Sequence, residues 1–193
     1  MRTASVSRRT KETEISCTLN LDAKSGTDIS TGIGFFDHML ELLSFHSGFG
    51  MTIKADGDLN VDDHHTVEDC GIVLGKAFRQ ALGDKKGIAR YGFFSCPMDE
   101  ALANVSLDFS GRPYLVFHCT FTREKIGDLS TEMVEEFFRA FAVEAGLTLH
   151  INVPYGTNNH HMAEAVFKAF GHALKEAVRV SGDGVMSSKG VLA

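Results

Sequence analysis

Two segments of the chain repeat one another, and no other feature constrains the fold as much. "DDHHTVEDCGIVLGKAF" begins at Asp62 and "TNNHHMAEAVFKAFGHAL" at Thr157. Each carries a His-His pair and, three residues after the second His, a Glu. The pairs begin at His64 and His160, an offset of 96. Upstream, "FFDHMLELLSFHSGFGMTI" and "MVEEFFRAFAVEAGLTLHI" superpose at an offset of 98, matching Gly48 with Gly146 and Ile53 with Ile151. The change in offset is a two-residue deletion, which falls naturally in the turn between Ile53 and His64.

Each half therefore runs helix, Gly-ended turn, strand, polar loop, second helix. Leu40 and Leu43, and in the other half Val134, Phe137, Phe138 and Phe141, recur at helical spacing. Gly48 and Gly146 stand where the end of a helix calls for positive φ. "GMTIKAD" and "LTLHINV" alternate as strands, and so does the start, "MRTASVSRRTKETEISCTLNL". Between the halves, "YGFFSCPMDEALANVSLDFSGRPYLVFHCTF" reads as two or three strands with a turn at Ser110-Gly111-Arg112-Pro113. The expectation is an α+β fold made by tandem duplication, each half a small sheet backed by two helices. The halves fall at about residues 1–90 and 91–182 of a single domain. A Gly- and Ser-rich tail, 183–193, follows and is ordered only if something binds it.

Composition narrows the function classes. With 44% hydrophobic and 23% charged residues, the chain is neither disordered nor membrane-spanning in character. No apolar run approaches the roughly 18 residues of a spanning helix, and the start lacks the apolar block of a secretory signal. A net charge of −6 argues against a broad nucleic-acid surface, which needs excess Lys and Arg. Cys17, Cys70, Cys96 and Cys119 show no CxxC spacing and read as buried, reduced thiols of a cytoplasmic protein.

Histidine is the one compositional signal: nine in all, four of them in the two pairs. Residues three and four apart share a helix face, which joins His64 and His65 to Glu68, and His160 and His161 to Glu164. Adjacent side chains diverge by about 100°, so the two imidazoles of a pair serve different ions. Imidazole with carboxylate and no thiolate suits Mn, Fe, Zn or Ni. Taken singly, His46, His118, His150 and His172 read as hydrogen-bonded core or surface residues. The repeat supplies a further pair, because His38 aligns with Glu136 and both residue types ligate divalent metals. His38, His64, His65, Glu68, Glu136, His160, His161 and Glu164 then make eight ligands for two metals. Four each leaves two open positions in an octahedral site, as a catalytic centre requires.

"GIGFFDHML", "DDHHTVED", "DEALANVSLDFSGRPYL", "HHMAEAVFKAFGHAL" and "SSKGVL" together resemble the imidazoleglycerol-phosphate dehydratase family of histidine biosynthesis. The resemblance runs from about Arg9 to Leu192. Many members carry His where this chain has Glu136, a place where a carboxylate is chemically able to substitute. The resemblance implies a ribosomal protein S5 domain 2-like fold and a hydro-lyase, that is a carbon–oxygen lyase. It implies two Mn²⁺ per active site and loss of water from D-erythro-imidazole glycerol phosphate, giving imidazole acetol phosphate through its enol. The proton to be lost is not acidic. Two cations on the ring nitrogens would hold the ring as a metal-bound imidazolate and stabilise a diazafulvene-like intermediate as water leaves. Glu12, Glu68 and Glu164 are the candidate proton carriers.

A phosphorylated substrate also needs cations. Arg90, Arg112, Lys168, Ser187, Ser188 and Lys189 match family positions that bind it, Arg offering bidentate geometry and Lys a point charge. Glu12, His38 and His46 complete the substrate-binding set. The tail is then a cap that closes over the phosphate and excludes water. The family further implies a cubic homo-oligomer of about 24 chains with active sites at subunit interfaces. The partner is a small phosphorylated imidazole, with no role for nucleic acid or membrane. Two rival readings use the same ligands. A dinuclear hydrolase would activate water, but the Asp-rich bridging pattern is missing; a metal-storage or structural assembly has no use for the Arg and Lys residues.

Overall fold

The computed structural model describes residues 1–23 and 26–192. In chain order the first half holds β1 (Thr3–Arg9), β2 (Thr13–Asn20), β3 (Thr27–Ser30), α1 (Gly34–Ser47), β4 (Gly50–Gly57) and α2 (His64–Leu82). The second holds β5 (Tyr91–Met98), β6 (Ala101–Asp108), β7 (Tyr114–His118) and a small hairpin, β8 (Lys125–Ile126) with β9 (Leu129–Ser130). It ends with α3 (Glu132–Ala145), β10 (Thr148–Tyr155) and α4 (Asn159–Ala177).

The two main sheets share one topology. Their strand orders are β1-β2-β4-β3 and β5-β6-β10-β7. In each, the last strand runs parallel to its neighbour and every other pairing is antiparallel. Register repeats as well: Arg9↔Glu14 in the first hairpin maps onto Pro97↔Leu102 in the second by a shift of 88. Period-two patterning produces this, since Ile15, Cys17 and Leu19 on β2 and Ala103, Val105 and Leu107 on β6 all face inward. The fold is the α+β duplication that the repeat implies.

The linkers between strand and second helix differ. Residues 58–63 lead from β4 to α2, whereas only 156–158 lead from β10 to α4. A bulge between Asn152 and Tyr155 returns one residue to β10. The net difference is the two residues that the alignment deletes.

α1 and α3 end at Gly48 and Gly146, with φ of 75° and 66°, where a Cβ would be strained. α2 covers the first sheet and α4 the second, and the helices then pair across the halves, α1 with α4 and α2 with α3. Packing rules allow the helices bearing His38 and His64 to lie side by side within one half; the structure instead sends each to the other half. Small residues decide it. A Cβ on Gly71 or Gly75 would lie 2.7 Å from the carbonyl oxygen of Phe137 or Phe141, and one on Gly171 would lie 3.1 Å from that of Leu43. Phe137 meets Phe36 edge-on at 5.3 Å and stacks on Phe167 at 5.5 Å, while Phe141 meets Phe78 and Phe170. All six rings are fully buried. At about 2–3 kcal/mol for each buried phenyl, this seam fuses the halves into one core.

Cys17, Cys70 and Cys96 are buried and Cys119 is half-buried; all four are free thiols. Among the described residues no helix is long and apolar enough to cross a membrane.

Candidate metal centre

Helix starts place the histidine pairs. The Asn158 side chain caps α4 by accepting from the backbone N–H groups of His160 and His161, which fixes the first turn. At the start of α2, Asp62 Oδ1 accepts from the His64 N–H at 2.9 Å. Asp63 reaches across instead, accepting from the Ser130 N–H at 2.5 Å and its hydroxyl at 2.8 Å, so the start of α2 is tied to the entry of α3.

The α1–α4 seam brings three ligands together. Glu164 Oε1 lies 2.9 Å from His160 Nε2 and 3.2 Å from His38 Nε2. One ligand atom from each of His38, His160 and Glu164 falls within 4.8 Å of the others. Lys168, one turn on, places Nζ 2.5 Å from Glu164 Oε2. Burial alone would raise the Glu164 pKa, yet Lys168, His160 and His38 together hold it down to about 2. Two imidazole nitrogens and an ionised carboxylate, close enough to close around one cation, are a donor set that fits a divalent metal.

The equivalent α2–α3 seam is open. His64 Nε2 is 3.8 Å from Glu68 Oε2. The carboxylate of Glu136, at the position equivalent to His38, turns aside to Arg139 at 3.3 Å, which Glu135 also engages at 2.5 Å. Among the described residues, no group of three potential ligands converges on this seam.

The second histidine of each pair points elsewhere, as the 100° divergence requires. His65 Nδ1 lies 3.0 Å from Asp58 Oδ2, with Nε2 4.0 Å from Glu12 Oε2. His161 Nδ1 lies 2.7 Å from Glu100 Oε2, with Nε2 3.7 Å from Asp99. Hydrogen bonds to Asp58 and Glu100 raise the two imidazole pKa values above the usual range. His161 and the backbone N–H groups of Asn158 and Thr157 hold Glu100 well below the ordinary carboxylate range. The motif reading missed Asp58 and Glu100. A signal did exist for Glu100: the 88-residue shift between the hairpins makes it the counterpart of Glu12.

The remaining candidates do not join this cluster, and Arg90, whose N–H donates to the Ala177 carbonyl, stands at the opposite end of α4 from His160. Glu12 is exposed in the β1–β2 turn. His46 Nδ1 lies 3.1 Å from His172 Nε2, and His172 stacks on Phe94 at 4.1 Å. Arg90 is buried, in the left-handed region at φ 72°, and grips Asp108 through two hydrogen bonds of 2.6 and 2.9 Å. Its third contact, to the Met186 carbonyl at 2.6 Å, holds the tail. The tail is also tied by Gly87, whose N–H donates to Gly184 and whose carbonyl accepts from Ser181. Protein contacts therefore order the tail as far as Met186; Ser187, Ser188 and Lys189 follow in a turn closed by the Gly190 N–H on the Ser187 carbonyl. Arg112 is exposed in the β6–β7 turn, with its carbonyl accepting from the Thr148 hydroxyl.

Comparison with known proteins shows the family. Residues 31–174 match the family model described as imidazoleglycerol-phosphate dehydratase. The imidazoleglycerol-phosphate dehydratase of Clostridium botulinum is 60% identical over 191 residues, covering 98% of this chain and 97% of that protein. The crystal structure of the Staphylococcus aureus imidazoleglycerol-phosphate dehydratase superposes with a TM-score of 0.85 at 45% identity, covering 93% of this chain and 99% of that one. A Pyrococcus furiosus structure of the same type gives 0.84 at 36% identity, with 97% and 100% covered. By sequence over almost its full length and by fold, this chain belongs to the imidazoleglycerol-phosphate dehydratase family.

Proposed function

We propose that this protein removes water from imidazole glycerol phosphate in histidine biosynthesis, yielding imidazole acetol phosphate, with two divalent ions, Mn²⁺ in this reading, held by the eight histidine and glutamate residues. The observation that carries the proposal is the convergence of His38, His160 and Glu164 across the α1–α4 seam. Hydroxide leaves the carbon attached to the ring and a proton leaves its neighbour; the enol so formed becomes the ketone. Divalent ions held by these residues would supply positive charge to stabilise the ring as charge develops on it.

The chain's own residues do the rest. Lys168 keeps Glu164 ionised and in place. Glu12, exposed and 4.0 Å from His65 Nε2, is the candidate to move the proton between carbon and solvent. Arg112 and Lys189 carry exposed side chains suited to phosphate, and Ser187 and Ser188 lie beside Lys189 on the tail. Arg90 acts through the tail: by gripping Asp108 and the Met186 carbonyl it sets where the Ser187–Lys189 turn begins. Closure of that turn over the phosphate would exclude water.

The α2–α3 ligands do not meet within one chain, which supports a site completed by a second copy in a larger homo-oligomer. Exposed Phe45, Tyr91, Phe93 and Tyr155 offer apolar area for such contacts. Incubating the protein with imidazole glycerol phosphate and Mn²⁺, and following ultraviolet absorption of the enol product, tests the activity. Turnover that stops on chelation is expected; undiminished turnover by metal-free protein contradicts the reading. Mixing two inactive variants, His65→Ala and Arg112→Ala, tests the shared site, since reassembly should restore some intact sites.

A further inference from the structure

Duplicated halves begin with duplicated duties, and this chain shows one that has been reassigned. Glu12 and Glu100 hold equivalent places in two hairpins of identical register. Their surroundings differ. Glu100 is fully engaged: Oε2 takes the His161 ring at 2.7 Å, and Oε1 accepts from the Thr157 N–H at 3.0 Å, the Thr157 hydroxyl at 3.2 Å and the Asn158 N–H at 2.7 Å. Glu12 accepts no side-chain hydrogen bond among the described residues, and its carboxylate stays exposed beside His65 Nε2.

The linkers explain the difference. The longer one, between β4 and α2, carries Asp58, which holds His65 Nδ1 at 3.0 Å. The shorter one, Gly156-Thr157-Asn158, has no carboxylate to offer His161. Glu100 has taken on that task and ties down the linker with it. A carboxylate on Nδ1 fixes the tautomer whose Nε2 lone pair is free for a metal, and orients the ring.

We propose that Asp58 and Glu100 are the paired positioning residues of His65 and His161, and that Asp58, by serving His65, releases Glu12 from Glu100's role to act on substrate. This inference rests on the metal-dependent reading above. It explains why two residues at equivalent places bear different work: one is locked into four contacts, the other left free at the nitrogen that would face an ion.

The test uses isosteric variants of the full-length protein, with Mn²⁺ as the probe. In Glu100→Gln the amide oxygen keeps the three linker hydrogen bonds, so the NH₂ faces His161 Nδ1. That reverses the polarity of the bond and favours the tautomer with hydrogen on Nε2. Asp58→Asn removes the negative charge that orients His65 and raises its basicity as a ligand. Titration of free Mn²⁺ by electron paramagnetic resonance should show affinity falling about 10–100-fold in each of these two. Glu12→Gln should keep its Mn²⁺ affinity within about two-fold and lose turnover instead. Far-ultraviolet circular dichroism checks that each variant is folded, and Asp58→Asn provides an independent test should Glu100→Gln not fold. Wild-type Mn²⁺ affinity in folded Glu100→Gln or Asp58→Asn would overturn the inference, as would equal loss of metal in Glu12→Gln. Wild-type protein that binds no Mn²⁺ would instead remove the functional reading on which it rests.

Discussion

The α1–α4 and α2–α3 seams descend from one pattern, yet one gathers its ligands and the other does not. On α4, Glu164 is 9% exposed in its side chain and anchored by Lys168; on α2, Glu68 is 42% exposed. The residue equivalent to Lys168 is Ile72, so nothing draws Glu68 inward. Across the seams, His38 turns to its carboxylate, whereas Glu136 is held aside by Arg139, whose equivalent in α1 is Glu41. Spacing puts the ligands on the same faces. The residue a turn further on decides whether they meet.

The largest effect should come from removing the hub of the closed seam. Glu164→Ala should lower Mn²⁺ affinity by more than about 100-fold. It should also destabilise the metal-free fold by about 3 kcal/mol, since Lys168 is left as a partly buried, unpaired charge. Glu68→Ala should lower Mn²⁺ affinity too, but change metal-free stability by no more than about 0.5 kcal/mol. Calorimetry of the two metal-free variants checks this; equal destabilisation would break the comparison.

Next in size are the proposed phosphate contacts, which belong to neither seam. Arg112→Ala and Lys189→Ala should each raise KM about 10–100-fold, the worth of a charge-assisted hydrogen bond, with metal content unchanged. Steady-state kinetics beside metal analysis would show it, and normal KM values would place the phosphate elsewhere.

Smaller effects are expected on the open seam. Glu136→Ala should lower metal affinity, while Glu136→His should retain much of it. Arg139→Ala frees Glu136 from a surface pair worth about 0.2–0.5 kcal/mol, so affinity should rise only about two-fold. Isothermal titration with Mn²⁺ resolves these differences. Unchanged metal content in Glu136→Ala would remove that carboxylate from the ligand set.

A separate effect is expected on acid stability. Because the folded state holds the Glu164 pKa near 2, below its ordinary 4.5, its contribution is complete above about 4.5 and is lost as pH falls towards 2. Metal-free Glu164→Gln should lose less stability than wild type across that window, read from melting temperature against pH. Parallel curves would show that the carboxylate carries no such linkage.

Much of this was legible in the chain. His-His-x-x-Glu at two helix starts, Gly48 and Gly146 at helix ends, and the two-residue change of offset all reappear in the structure. The cross-half pairing was not legible, because an apolar stripe gives a helix its buried face but does not name the partner. Gly71, Gly75 and Gly171 were the available clue, since they mark where a neighbouring backbone comes close. Glu100 escaped for a related reason, since it joins a histidine 61 residues away and only the strand register aligns it with Glu12; Asp58 is just seven residues before His65, but in a linker whose path no periodicity gives. Arg90 reads as a phosphate ligand from its motif, yet its bond to Asp108 depends on a left-handed backbone turn that no periodicity reveals.

The central claim is that the two duplicated ligand sets hold two divalent ions. Anomalous scattering at the manganese edge, from crystals grown with Mn²⁺, tests it most directly. The account predicts two peaks per chain, bonded between them to His38, His64, His65, Glu68, Glu136, His160, His161 and Glu164, with a neighbouring copy completing the coordination. A single peak per chain, or peaks away from these residues, would contradict it.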